Sequence, residues 1–381
     1  MRILTLIHEF PPIGGGGGRV AQDLARALVK RGHEVRVIAP YHTSLPAEDQ
    51  ADGVQVVRIP SFRSKQFAAD MLAMSGYLVV GLLVGLWHIL SWRPNIIHVH
   101  FAVPGGVLAW LLSKLTGIPY VLTTHLGDVP GGVPEKTDGW FRWVYPFTHR
   151  IWRDAARVTA ISEHTRRLAL VHYPVEIEVI PNGIELGEKP TDFSFSLNTP
   201  PQIAFAGRFV PQKNPLQAVR ILSRVSDLPW QAAMIGDGVL LEEARGEIQR
   251  LGLGGRVTFT GWINPEEVKV HFEHSDILLM PSLSEGIPMV GLQALASGLA
   301  IVASGVGGLI DLVQQGQNGF LHEPDDADGF VSSLRNLLSD HAALLRMRHA
   351  SLEFVRRFDL AHIIDRYEHI FISAVGSSNT K

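Results

Sequence analysis

Short apolar runs rich in β-branched residues alternate along this chain with longer runs of helical period, and the alternation happens twice. "RILTLI" is followed by "VAQDLARALVKRG", "EVRVIAP", then "NIIHVHF", "GVLAWLLSKLTG", "PYVLTTH" and "RVTAISE". Runs of four to seven such residues suit strands buried on both faces, and the intervening runs suit the crossover helices that parallel strands require. The pattern lapses after "EVIPNGIEL", where residues 187–201, "GEKPTDFSFSLNTPP", are polar, hold prolines and show no period. That segment reads as a linker. A second series then begins with "QIAFAG", "NPLQAVRILSRV", "WQAAMIGDG" and "LLEEARGEIQRLGL", and goes on through "RVTFTG", "DILLMPS", "AIVAS" and "NGFLHEP". The reading is an α/β chain of two doubly wound, Rossmann-like domains, residues 1–186 and 202–358, with ligands expected in a cleft at the carboxyl ends of the strands. Residues 359–375 form one more amphipathic helix before a polar tail.

At 381 residues the chain exceeds the size at which one hydrophobic core stops growing, which agrees with two domains. A formal net charge of −3 lacks the basic excess that binding a phosphate backbone requires, so nucleic acid is not an expected partner. The absence of cysteine removes disulfides, thiolate nucleophiles and Cys-ligated metals, and fits a reducing, cytoplasmic setting. The first apolar run is too short for the core of a signal peptide. Residues 71–92, "MLAMSGYLVVGLLVGLWHILSW", hold no Asp, Glu, Lys or Arg, and about 20 apolar residues suffice to cross a bilayer. The run leads directly into "RPNIIHVH", a core strand, so a span would divide a folding unit. A helix packed on the sheet is the main reading, and a helix that also touches a membrane surface is the alternative. Arg58, Arg63 and Lys65 lie just upstream, where anionic headgroups would meet them.

Glycines and cations mark the chemistry. "FPPIGGGGGRVAQDL" places Gly14 to Gly18 between a strand and a helix, so that the backbone can approach a ligand closely while the helix start offers free amides to an anion. The second strand ends in "VIAPYH", without the acid that would hold a dinucleotide's ribose, which disfavours an oxidoreductase. "AFAGRFVPQKN" sets Arg208 and Lys213 at a strand's carboxyl end, a clamp for a diphosphate whose charge grows as its bond to a sugar breaks. In "SEGIPMVGLQALASG", Glu285 precedes a helix whose first amides, near Met289 and Val290, can take a phosphate, and Gln293 is placed on the inward side of that helix. His98 and His100 share a strand face without a third metal ligand, so no metal is expected. "PDDAD" at 324–328 reads as a helix N-cap.

The ordered set "PPIGGG", "GHEV", "IIHVH", "TTH", "AISEHTR", "IPNGIE", "GRFVPQK", "IGDG", "VTFTGWI", "PSLSEGIPMVGLQALASG", "GVGG" and "NGFL" resembles the retaining glycosyltransferases of family four over essentially the whole chain. That resemblance implies the GT-B fold, a nucleotide-sugar donor on the second domain, a sugar, polyol or lipid-linked acceptor on the first, and a C-terminal helix crossing back to the first. By resemblance, Arg208 and Lys213 bind the donor pyrophosphate, Glu285 holds donor-sugar hydroxyls, and His125 lies by the reacting sugar. Gly15 and Gly16 match the glycine pair near the donor phosphates, Trp262 and Ile263 meet the base, and Ile287, Met289 and Val290 line the donor site. Arg19 is a candidate for the acceptor, and Asp128 is expected either to bind the acceptor or to support His125. The sequence departs from the family where a second glutamate is usual eight residues after the first: here stands Gln293. A neutral amide gives weaker bonds to ribose hydroxyls than a carboxylate does. Pro288 and Asn214 stand where glycine is usual. The expected reaction is a front-face retaining hexosyl transfer that needs no metal or other cofactor. The alternatives are a degenerate nucleotide-binding module without turnover and a sugar-nucleotide epimerase.

Overall fold

The computed structural model describes residues 1–42, 45–63, 71–133, 141–187 and 196–378. The chain divides into two compact units, Met1–Gly183 with Leu360–Lys381, and Ile184–Asp359.

The first unit is built on eight strands: β1 Arg2–Leu6, β2 Glu34–Pro40, β3 Glu48–Ala51, β4 Val54–Ile59, β5 Ile96–His100, β6 Tyr120–Thr124, β7 Arg157–Ala160 and β8 Ile177–Val179. Their order is β3-β4-β2-β1-β5-β6-β7-β8, parallel except for the β3–β4 pair. The hairpin turn at Asp52–Gly53 has φ of 52° and 81°. Two residues with positive φ match the right-handed twist of the strands they join. Strand order reverses at β1 and β5, so the carboxyl ends of these two strands bound a switch point, where doubly wound sheets leave room for ligands. Ile3, Leu4, Leu6, Ile96, Ile97 and Val99 are fully buried, as expected of strands covered on both faces.

The uncharged run forms one helix, Met71–Trp92, packed on this sheet. The helix Leu360–Ser378 closes the same unit from the opposite end of the sequence. Its Ile363, Ile364, Tyr367, Ile370, Phe371 and Ala374 are buried with Ile3, Val37 and Val121.

The second unit has six strands, all parallel: β9 Gln202–Ala206, β10 Gln231–Ile235, β11 Val257–Gly261, β12 Ile277–Met280, β13 Ala300–Ser304 and β14 Gly319–His322, in the order β11-β10-β9-β12-β13-β14. Its switch point lies between β9 and β12. Asp326 caps the helix Ala327–Ser339, its Oδ1 accepting from Gly329 at 2.9 Å.

One expected boundary moves. Residues 184–186 fall in the second unit, because Ile184 donates to the Phe358 carbonyl at 2.9 Å, bridges Asp359 and packs with Leu186 on the second unit's core. Of the expected linker, residues 188–195 lie outside the described residues, as does Lys65.

Candidate functional site

In the second unit the expected donor residues all follow the carboxyl ends of parallel strands. After β9 the chain turns at Gly207, leaves the Arg208 side chain exposed, and forms a short turn Pro211–Lys213. Asn214 follows with φ 52° and ψ 50°. That left-handed conformation is why glycine would suit the position and why asparagine, whose short amide tolerates it, can replace it. The turn is fastened to the loop after β12: Leu283 donates to the Gln212 carbonyl at 2.8 Å, and the Gln212 amide donates to the Ser284 carbonyl at 2.9 Å. This brings Lys213 Nζ within 2.5 Å of Glu285 Oε1, with side chains only 15% and 5% exposed.

Two further loops press on this frame. Gly236 lies so close to β9's turn that a Cβ there would fall 2.0 Å from the Gly207 carbonyl oxygen. A Cβ at Gly307 would fall 1.9 Å from the Glu285 carbonyl oxygen, and Gly307 has φ +55°. The "GVGG" loop therefore fixes the backbone that carries Glu285, and only glycine permits the approach.

Helix Met289–Ala296 begins at Pro288, with no side-chain cap. Gly291 and Leu292 donate back to the Pro288 carbonyl, so the amides of Met289 and Val290 are the helix's unsatisfied donors. Leu292 and Leu295 face the core; Met289, Val290 and Gln293 share a half-buried stripe. The inward placement expected for Gln293 is thereby corrected: the core side is taken by leucines, and Gly291 meets Leu312 where a Cβ would stand 2.6 Å from Cδ1. The Gln293 amide makes no hydrogen bond among the described residues, nor does the exposed Arg208 guanidinium. Ile287 is buried. Trp262, 66% exposed, and half-buried Ile263 follow β11.

In the first unit, Gly15 and Gly16 begin the helix Gly16–Lys30, exposed and facing open space. The neighbouring glycines are not open. A Cβ at Gly14 would fall 2.3 Å from the Cβ of Glu9, and one at Gly17 2.5 Å from the Phe101 ring. The Glu9 carboxylate accepts from the Gly15 amide at 3.3 Å, so the protein's own anion lies at the helix start. Arg19 pairs with Asp23 one turn further on, at 3.2 Å.

His125 follows β6 and is buried. Its Nε2 lies 3.2 Å from His100 Nδ1, and its ring accepts from the Asp128 amide while Asp128 Oδ2 accepts from the His125 amide at 3.0 Å. The Asp128 amide also donates to the His125 carbonyl at 3.0 Å. Burial lowers the pKa of His125 to about 4 and of His98 to about 3, and holds His100 well below its usual range. All three rings are neutral at pH 7. Burial raises Asp128 to about 8, against the lowering effect of the backbone amides of His125, Ala102 and Val103. Asp128 is thus a buried brace between the β6 turn and the turn after β5, in the supporting position beside His125. Sequence reasoning missed Glu9 and His100 as members of these sites. The "HVH" pair was legible only as two rings on one face, and they do meet there, centroids 4.4 Å apart and planes tilted by 54°. Among the described residues no three His, Asp or Glu side chains are grouped to hold a metal ion.

Comparison with known proteins agrees with this layout. The family "Glycosyl transferase 4-like domain" matches residues 15–183, and "Glycosyl transferases group 1" matches residues 189–353. The chain is similar to a glycogen synthase of Mycobacterium tuberculosis, at 27% identity over 98% of this chain and 95% of that protein. It is also similar to the UDP-Gal:alpha-D-GlcNAc-diphosphoundecaprenol alpha-1,3-galactosyltransferase of Escherichia coli, at 25% identity over 77% of this chain and 79% of that one. Among solved structures, sucrose-phosphate synthase from Thermosynechococcus elongatus superposes with a TM-score of 0.84 at 20% identity, over 99% of both chains. The chain belongs to the family-four-type glycosyltransferases of GT-B fold, enzymes that use a nucleotide-sugar donor.

Proposed function

We propose that this glycosyltransferase moves a hexose from a nucleoside diphosphate to an acceptor hydroxyl with retention of configuration, by a front-face path without a metal ion. The observation that carries the reading is the Lys213–Glu285 pair at the β9–β12 switch point, beside an exposed Arg208 with no partner among the described residues. Breaking the sugar–diphosphate bond leaves a growing negative charge on the diphosphate. Arg208, the Lys213 ammonium and the Met289 and Val290 amides are groups suited to that charge. Glu285, held by Lys213 and by the glycine loop beneath it, accepts from donor-sugar hydroxyls, and Gln293 meets the ribose. The leaving diphosphate oxygen takes the proton of the incoming hydroxyl on the face it vacates, so no separate carboxylate base is needed. Positioning supplies most of the acceleration. The acceptor is a hydroxyl of a lipid-linked sugar, a reading supported by the similarity to a galactosyltransferase whose name records a diphosphoundecaprenol-linked acceptor.

The test is the anomeric configuration of the first product, read by proton NMR with an α-linked donor and a chelator present. An α-product formed in the chelator supports the reading. A β-product, or activity lost with the chelator and restored by a divalent cation, contradicts it.

A further inference from the structure

Helix Met71–Trp92 is built inside out. Its small and polar side chains face the sheet of the first unit. A Cβ at Gly76, Gly81 or Gly85 would fall 2.7–2.8 Å from side chains of Phe62, Leu108 or Leu112. On the same face His88 Nδ1 lies 3.2 Å from the Arg36 guanidinium, and the Tyr77 hydroxyl donates to the Ile38 carbonyl at 3.0 Å. Apart from Tyr77, Ile89 and Trp92, which are buried, the large apolar side chains are half-buried or face outward. Leu72, Val79, Leu83, Trp87 and Leu90 recur at helical spacing along one ridge, each 62–73% exposed. A helix that meets water shows the reverse distribution, and an apolar ridge roughly 27 Å long, with Ser75 its one polar member, is unusual on a water-facing surface. Glycines turned inward and large aliphatic side chains turned outward is the distribution of a helix facing hydrocarbon.

The helix cannot leave the fold to span a bilayer, since three glycines seat it on its neighbours and it leads through Arg93 into β5, a buried strand paired on both sides. Only the outer ridge is free. Around its carboxyl end the charge is positive. Arg93 is exposed directly after Trp92. The adjacent helix Val107–Thr116, which packs through Leu108 and Leu112 on Gly81 and Gly85, ends with Lys114 and an exposed Leu115. Its neighbour Phe141–Arg153 ends with Arg153, 70% exposed. The acids there are both paired: Asp154 by Lys114 and Arg153 at 3.0 Å, and Glu34, which accepts from Trp92 Nε1 at 3.1 Å, by Arg2 at 3.4 Å.

We propose that this ridge docks on the surface of an anionic lipid bilayer, lying in the plane of the interface with Trp87 at headgroup level and Arg93 and Lys114 on the lipid phosphates. The docking concerns the first unit alone and stands independently of the donor chemistry of the second. It would bring that unit to an acceptor anchored in the same bilayer.

The experiment is sedimentation of the full chain with vesicles of phosphatidylcholine alone or mixed with phosphatidylglycerol. The chain is expected to sediment with the mixed vesicles. Leu83→Glu/Trp87→Glu is expected to abolish this with an unchanged unfolding midpoint, because both side chains are exposed. Arg93→Glu/Lys114→Glu is expected to lower partitioning by about tenfold, an effect that disappears in high salt. Should the first variant fold poorly, quenching of tryptophan fluorescence by brominated lipid serves instead, and Trp87→Phe removes most of it. A chain that stays in the supernatant with both vesicles, or sediments regardless of the ridge substitutions, overturns the proposal. So does a concentration-dependent dimer that Leu83→Glu/Trp87→Glu dissolves, since the ridge would then meet a second copy. The nucleotide-dependent thermal shift of the same variants is expected to stay that of the wild type, which separates failure of docking from failure of the transferase reading.

Discussion

Lys213 and Glu285 are each other's nearest charge, and neither is well solvated. Removing one partner leaves a buried charge uncompensated, at a cost of roughly 3–5 kcal/mol, whereas neutralising both costs far less. Lys213→Met is therefore expected to lower the second unit's unfolding free energy by several kcal/mol, and Lys213→Met/Glu285→Gln to recover most of it while remaining inactive. Urea denaturation of the two variants checks this; equal losses in both would mean that the pair is not coupled. Gln293 makes the opposite kind of prediction. It sits half-buried with its amide unengaged among the described residues, where a carboxylate would accept charge-assisted bonds from ribose hydroxyls. Gln293→Glu is expected to tighten donor binding by about tenfold, since the gain of roughly 1.4 kcal/mol lies within the difference between neutral and charged hydrogen bonds. Titration calorimetry decides, and unchanged affinity would remove Gln293 from the donor site.

Elements that were legible in the sequence are those whose residues declare their own burial. The strands "IIHVH", "QIAFA" and "AIVAS" are mostly β-branched or small apolar residues, and each became a strand of a parallel sheet. The β3–β4 hairpin went unread because "EDQA" is polar and short, an edge strand that owes its place to its partner. The glycine loops were legible as ligand loops, but that Gly236 and Gly307 press on Gly207 and Glu285 is a tertiary fact. Glu9 and His100 were unreadable as site members for the same reason: their partners lie on other elements. The histidine row along β5 and β6 has a consequence for pH. His98, His100 and His125 are depressed by burial, so below about pH 6.5 the unfolded chain binds protons that the folded chain refuses, and their stabilising contribution is lost as pH falls toward 4. Asp128 runs the other way, being raised to about 8; its contribution is full at low pH and lost as pH rises through 8. Each group changes stability by about 1.4 kcal/mol per pH unit in its window. Three losses against one gain predict that the first unit weakens on acidification from about pH 6.5 to 5. Denaturant midpoints at the two pH values test it, and a midpoint that rises on acidification would contradict it.

At the scale of the molecule, the last helix belongs to the first unit although the second unit precedes it in sequence. Six buried apolar side chains of Leu360–Ser378 complete the core of the β1 side of the sheet. Ending the chain at Asp359 is expected to melt the first unit at a much lower temperature while the second still responds to nucleotide. Two calorimetric transitions, of which only one moves, would show this; joint loss of both would contradict it. The second unit is expected to hold a nucleotide-sugar through the residues gathered at the β9–β12 switch point. This is tested most directly by thermal unfolding against UDP, GDP, ADP and their sugar conjugates, in the wild type and in Arg208→Ala. A ligand at one hundred times its dissociation constant stabilises by about 2.7 kcal/mol. A selective upward shift is expected with one nucleotide and its sugar conjugate, much reduced in Arg208→Ala. A folded wild-type chain that shifts with none of them, or a shift that Arg208→Ala leaves intact, would contradict it.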